Sequence, residues 1–241
     1  MGRVKEWVNL GKWSREEIEG ILQEASVIGR IPERISLISS AFLGTPYGES
    51  TLIGGSDEAE VLVIDLASMD CFTFIDYVEA MRLSSSFGDF RGHLTKVRYK
   101  RAVIAYGTRR HFFTDWRYTD RVKDVTREIG ARKAVRVART LNRKADGSLI
   151  LPGIPERERR ITFVPSTSVD ASVMESLRTG DYVGIYTQAE GLDVSHVGIV
   201  IRDGGRLLLR HAYSIQRKVL DQDFLPYISE KPGIVVLRPK G

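Results

Sequence analysis

The sequence predicts an α+β protein, and three observations carry the prediction. Apolar residues at helical spacing open the chain, short strand-like runs separated by turn residues fill its last third, and the one cysteine lies where a helix should begin. A chain of 241 residues with 42% hydrophobic content can bury an ordinary core. It contains no internal repeat, no low-complexity segment and no linker long enough to separate independent domains, so residues 1–241 read as a single domain.

Ser14 is a helix N-cap, and Glu17 three residues later completes a capping box. Apolar residues at 18, 21, 22, 25 and 28 give that helix a packing face, and Gly29 ends it. Pro32 starts a second helix that runs to about Phe42. Leu43-Gly44-Thr45-Pro46-Tyr47-Gly48 is too rich in Gly and Pro for regular structure and reads as a shaped loop, or more plainly as a turn with a packed tyrosine. Val61 to Asp65 is a short apolar run. Asp70 then caps a helix whose apolar residues fall at 74, 75, 77, 78 and 81, which places Cys71 in its first turn. Unpaired N–H groups and the helix dipole favour a thiolate there, while the Asp70 carboxylate opposes it. Taken alone, a lone cysteine reads more simply as a small buried hydrophobe.

The middle of the chain departs from simple alternation. Lys96 to Arg101 is basic and reads as partly extended. His111 to Tyr118 clusters aromatics among charges, which suits either flat ligands or a satellite core. Residues 133–142 read as a strand, Asp146-Gly147 as a turn and Ile161 to Val164 as the returning strand. A short helix follows with Val173, Met174 and Leu177. Thr179-Gly180-Asp181 turns into a strand over Tyr182 to Tyr186. Val194 to Ile201 forms another, Asp203-Gly204-Gly205 closes a hairpin, and Leu207 to His211 returns antiparallel. His196 and His211 are thereby expected on neighbouring strands, where two histidines by themselves are ordinary structural residues.

Net charge is +5, unevenly spread: residues 96–160 carry 19 Lys/Arg against 7 Asp/Glu. Such a block attracts an anionic partner or is simply a solvated face. No apolar run approaches the length of a membrane span. The N-terminus lacks the apolar segment of a signal peptide, so the expectation is a cytoplasmic protein, or an envelope protein whose leader has been removed. One cysteine excludes an internal disulfide framework.

Together the pieces suggest nucleophilic catalysis: Cys71 as nucleophile, His196 as base and His211 as the group that orients the base. Zinc held by the same three residues is the rival, but the tight ligand spacing of the usual zinc sites is missing, so no metal and no cofactor are expected.

Gly44-Thr45-Pro46-Tyr47-Gly48, Asp70-Cys71, Gly180-Asp181, His196-Val197-Gly198-Ile199 and His211-Ala212 resemble, in order and spacing, the NlpC-type papain-like cell-wall hydrolases. More narrowly, Asp70-Cys71-Phe72-Thr73-Phe74, His111 to Trp116, Gly191 to Gly198 and Gly233 to Pro239 resemble the N-acetylmuramoyl-L-alanine amidase-like branch. The resemblance runs from about residue 35 to the end. It implies a papain-like fold in which the N-terminal helices and the nucleophile helix pack on an antiparallel sheet, with residues 86–170 as a large insertion shaping the cleft. It implies Cys71 as nucleophile, His196 as base, His211 as third member and Tyr47 as a hydroxyl beside the thiol. Phe72-Thr73 replaces the superfamily's usual Ser-Gly, which favours the amidase branch. The expected substrate contacts are Asp70, Phe72, Arg109, Arg110, His111, Trp116, Tyr118 and Ser195, with Trp116, Tyr118 and Arg109 or Arg110 as a stacking, cationic wall. The implied activity is cleavage of the lactyl–L-Ala amide of peptidoglycan fragments, anhydro-muropeptides above all, in cell-wall turnover or recycling. A γ-D-glutamyl–diamino acid endopeptidase and a non-catalytic cell-wall binding protein are the alternatives. Nucleic acid is not expected as a partner, because it explains the basic block but not the Cys/His set.

Overall fold

The structure, a computed structural model, describes residues 5–241; Met1–Val4, the start of the N-terminus read above for a leader, lie outside the described residues. The chain divides into two compact units. One holds the residues up to Arg110 together with His211–Leu220, and the other holds His111–Arg210 with Asp221–Gly241. The segment 86–170, expected as one insertion, is shared between them.

In the first unit, strand β1 (Glu6–Asn9) precedes helix α1 (Arg15–Val27), helix α2 (Ile31–Ala41), strand β2 (Leu62–Asp65) and helix α3 (Cys71–Arg82). β1 and β2 pair in parallel, Trp7 opposite Val63. The capping box of α1 forms as its sequence dictates: Glu17 N–H donates to Ser14 Oγ at 3.1 Å and Ser14 N–H to the Glu17 carboxylate at 2.7 Å. The helix stops at Val27 with Ile28 as its cap, two residues before the expected glycine.

Every residue of α3 from Thr73 to Arg82 is buried, including three that carry charge. A helix enclosed on all sides must neutralise such groups, because an unpaired buried charge costs several kcal/mol. Arg82 forks onto Glu79 at 2.6 and 2.7 Å. Arg98 donates to Asp76 Oδ2 at 2.9 Å and to the Val63 carbonyl at 2.6 Å, tying α3 to β2. Burial pushes the Asp76 carboxyl up, and the Arg98 charge and hydrogen bond pull it back.

Arg98 closes helix α4 (Phe87–Arg98), so of the stretch read as partly extended, Lys96 to Arg98 is helical and Tyr99 is extended before a 3-10 turn, Lys100–Ala102. Ser86 Oγ accepts the Asp89 N–H at 3.1 Å, and Phe87, Phe90, Leu94 and Val97 form the buried stripe. Gly88 and Gly92 obscure that pattern, each costing about 1 kcal/mol of helix propensity. Burying four large apolar side chains returns about 1.5–3 kcal/mol apiece, so packing decides.

The second unit is built on strands β3 (Val122–Asp124), β4 (Val135–Leu141), β5 (Arg157–Pro165), β6 (Tyr182–Tyr186), β7 (Val194–Asp203), β8 (Arg206–Tyr213), β9 (Lys218–Asp223) and β10 (Gly233–Pro239). Their order is β4-β5-β10-β6-β7-β8-β9, with β3 also paired to β10. The ends of β8 and β9 run into the His211–Leu220 segment of the first unit. The β7–β8 hairpin closes as expected, Asp203 opposite Arg206. The architecture is mixed α+β with a large antiparallel sheet.

Short helices α5 (Thr126–Gly130), α6 (Ala171–Ser176) and α7 (Phe224–Ser229) cover one face, where Ile129, Val173 and Phe224 meet Val183, Ile185, Val200 and Val236. Strand periodicity sends the alternate residues of β6 to the other face. There Tyr182 takes the edge of Trp116 at 5.1 Å, and Tyr186 stacks on Phe163 at 3.8 Å. Gly184 lies between them because any Cβ would come within 2.5 Å of the Phe113 ring.

Candidate active site

Cys71 is the first helical residue of α3 and is half-buried. The Asp70 carboxylate fixes the helix start, accepting the N–H of Phe72 at 2.9 Å and of Thr73 at 2.7 Å. Thr73 Oγ1 in turn accepts the Asp70 N–H at 3.0 Å. Upstream, Asp65 Oδ1 accepts the Ala67 N–H at 3.1 Å, and the Asp65 N–H donates to the Tyr77 hydroxyl at 2.9 Å. The connection from β2 to Cys71 is thus held at both ends.

The loop bearing Tyr47 is laced between two backbones. On one side Gly44 N–H donates to the Val219 carbonyl, Val219 N–H to Thr45 and Tyr47 N–H to Arg217. On the other, Met69 N–H donates to Pro46 and Gly48 N–H to Met69, both at 3.1 Å. Gly44 takes φ +80°, where a Cβ is strained. Gly48 has no room for one either, since it would lie 2.6 Å from Ser68 Oγ. This lacing brings Tyr47 to the start of α3. Burial raises the pKa of its hydroxyl, the charges of Cys71 and Asp70 push the same way, and Arg217, 5.2 Å over the ring, opposes them. The phenol stays protonated and remains a hydrogen-bond donor near the thiol.

His211 belongs to the same unit as Cys71 and Tyr47. It is fully buried and stacks on Tyr213 at 4.9 Å. His196 belongs to the second unit, on β7 opposite Ile185, half-buried with its ring 6.2 Å from that of Tyr227. Ser195 beside it is exposed and touches the Ile185 carbonyl at 3.5 Å. Phe72 and His111 are half-buried.

Three of the residues expected to form a binding wall are engaged by contacts within the protein. Trp116 is 2% exposed against Tyr182, so its ring is core and not a stacking platform. Arg109 forks onto Glu60 at 2.9 and 2.5 Å. Arg110 donates to the carbonyls of Lys96, Val97 and Tyr99 at 2.8–2.9 Å, closing the C-terminal end of α4. Tyr118 alone is open, at 73% exposure, with Arg159 5.0 Å over its ring.

A network that sequence reasoning did not single out holds the entry to β7. Buried Asp193 accepts the Thr114 N–H and hydroxyl, both at 2.7 Å, and the Val194 N–H at 2.8 Å. Arg159 donates to Thr114 Oγ1 at 2.7 Å and to Asp115 at 2.9 Å. Burial raises the Asp193 pKa, against the pull of its hydrogen bonds. The one signal for it was an aspartate among apolar residues three positions before His196. Among the described residues no group of three or more His, Cys, Asp or Glu is placed to hold a metal ion. No described helix is long and apolar enough to cross a membrane.

The mixed α+β architecture recurs in solved structures. A Legionella pneumophila str. Philadelphia 1 protein superposes with a TM-score of 0.79 at 20% identity, over 94% of each chain. Two structures of an N-acetylmuramoyl-L-alanine amidase from Bacteroides uniformis ATCC 8492 follow at 0.73 and 0.72, with 27% and 25% identity, each over 88% of this chain and 100% of theirs. No curated protein matches. Residues 37–234, a span that includes Tyr47, Cys71, His196 and His211, match the AmiA-like family, described as N-acetylmuramoyl-L-alanine amidase-like. The chain belongs to that family.

Proposed function

We propose that the protein is a cysteine-dependent N-acetylmuramoyl-L-alanine amidase of papain-like, NlpC-type design, its whole length acting as one catalytic domain. Its substrates are peptidoglycan fragments, anhydro-muropeptides above all, in cell-wall turnover or recycling, inside the cell or in the envelope. Membership of the amidase-like family supports the reaction class. The observation that carries the cysteine reading is the start of α3, where a capped helix presents Cys71 with the protonated Tyr47 phenol near it.

Cys71 gives its proton to His196, and the thiolate attacks the lactyl carbonyl carbon. The Cys71 N–H and the Tyr47 hydroxyl donate to the oxyanion as it forms. Collapse breaks the C–N bond, His196 returns the proton to the departing L-Ala amine, and a thioester remains. Water, deprotonated by His196, hydrolyses the thioester to the free lactyl carboxylate and restores the thiol. His211 holds the His196 tautomer.

The test is a digest of GlcNAc-anhydroMurNAc-tetrapeptide followed by mass spectrometry, with wild type beside Cys71→Ala. Free tetrapeptide and disaccharide from wild type only is the expected result. A dipeptide left on the sugar would identify a γ-D-glutamyl–diamino acid endopeptidase, and no cleavage by either protein would overturn the substrate.

A further inference from the structure

The second unit contains a cleft of about 830 Å³ lined by Arg117, Arg127, Arg132 and Arg136 with Ala131 and Ala134. It accounts for part of the basic block that the amidase reading leaves unused. Asp124 is the one acid in its lining, and Arg117 already holds that carboxylate at 3.0 Å. Among the described residues no carboxylate or carbonyl bonds Arg127, Arg132 or Arg136. These three arginines line one concavity together with two alanines, whose short side chains take up little of its space. Arg136 stands opposite Thr162 in the β4–β5 pairing, so a hydroxyl lines the same opening.

The backbone is bent to make this shape. Ala131 sits at φ 46°, ψ −119°, a backbone conformation that L residues rarely adopt. Its neighbour Gly130 packs so tightly on β5 that a Cβ would lie 2.5 Å from Val164 Cγ2. That tight turn sets Arg127 and Arg132 at the border of a single cleft, where planar guanidinium forks match carboxylate and phosphate oxygens.

We propose that this arginine-lined cleft is a binding site for a small ligand carrying two or more oxyanion groups. The cleft has room for more than a single phosphate or carboxylate and lies within the range of small-molecule sites, so the oxyanion groups are carried on one molecule. The carboxylates of a stem peptide and a pyrophosphate share this chemistry. The inference stands whether or not the protein proves to be an amidase.

The test is calorimetric titration of full-length Cys71→Ala protein at low salt. One arm uses the free tetrapeptide L-Ala–γ-D-Glu–diaminopimelate–D-Ala and the other inorganic pyrophosphate. Saturable binding of either, weakened by salt, is expected, and the arm that binds names the source. Arg132→Ala/Arg136→Ala should weaken it tenfold or more with an unchanged melting temperature, because both side chains are exposed and unbonded. Arg206→Ala, an exposed arginine outside the cleft, should bind as before. Absence of binding in both arms up to about 10 mM, or equal weakening by Arg206→Ala, overturns the proposal. Should the double variant melt early, Arg132→Gln alone is read against the same two criteria.

Discussion

Asp70 accepts the Thr73 N–H at 2.7 Å while the Thr73 hydroxyl accepts the Asp70 N–H at 3.0 Å, and this reciprocal pair makes Cys71 the first residue of its helix. Asp70→Asn keeps an oxygen acceptor for the cap and removes the charge beside the thiol. Its melting temperature should stay close to wild type while iodoacetamide alkylation of Cys71 shifts to lower pH. Asp70→Ala should cost about 0.5–2 kcal/mol in urea unfolding, the usual loss of a cap.

Gly48→Ala forces the loop away from Ser68 and carries Tyr47 with it. Steady-state kinetics should show kcat falling with KM little changed, because the site is displaced and not the substrate contacts. Tyr47→Phe should lower kcat by about 10²–10³, the usual value of one oxyanion donor. Equal kcat for Tyr47→Phe and wild type would remove the phenol from the mechanism.

Arg98→Ala leaves the Asp76 carboxylate buried and unpaired, so a loss of about 3–5 kcal/mol is expected in chemical denaturation. Arg98→Met/Asp76→Asn removes both charges and should recover a large part of it. If the double variant were no more stable than Arg98→Ala, charge pairing would not be what secures α3 to β2.

Trp116→Ala should destabilise by about 3–5 kcal/mol, the cost of emptying a core aromatic site. Tyr118→Ala, at an exposed ring, should leave the melting temperature unchanged. The reverse pattern would restore Trp116 to the surface role that its composition suggested.

Buried Asp193 has a raised pKa, so the folded state holds its proton to higher pH than the unfolded chain, whose carboxyl titrates at ~3.9. Above that pH the unfolded state binds fewer protons, and the contribution of this group to stability declines until the folded pKa is passed. The melting-temperature deficit of Asp193→Asn relative to wild type should therefore be larger at pH 4 than at pH 7. A pH-independent deficit would contradict the assignment.

Much of this was legible in the chain. Ser14 with Glu17, and Asp70 before an apolar helical stripe, state their helix starts through local hydrogen-bonding chemistry. The β7–β8 hairpin followed from alternation around Asp203-Gly204-Gly205. Helix α4 was hidden by two glycines, although Phe87, Phe90, Leu94 and Val97 carried its period. The parallel partner of β2 was invisible because β1 is four residues long and its pairing lies 56 positions away.

The sequence by itself determined the mixed α+β class, the caps that begin α1 and α3, and the place of Cys71 at a helix start, because each depends on neighbours within a few residues. Only the tertiary structure decided what the polar and aromatic residues between them do. Arg109 meets Glu60, Arg110 meets the end of α4, Trp116 enters the core, and Asp193 finds Thr114, the bonded pairs lying 11 to 79 residues apart. Composition cannot distinguish a guanidinium paired to a distant carboxylate from one left open beside Ala131. The difference lies in which segments packing brings together, and burial of apolar surface, which no single residue controls, sets that.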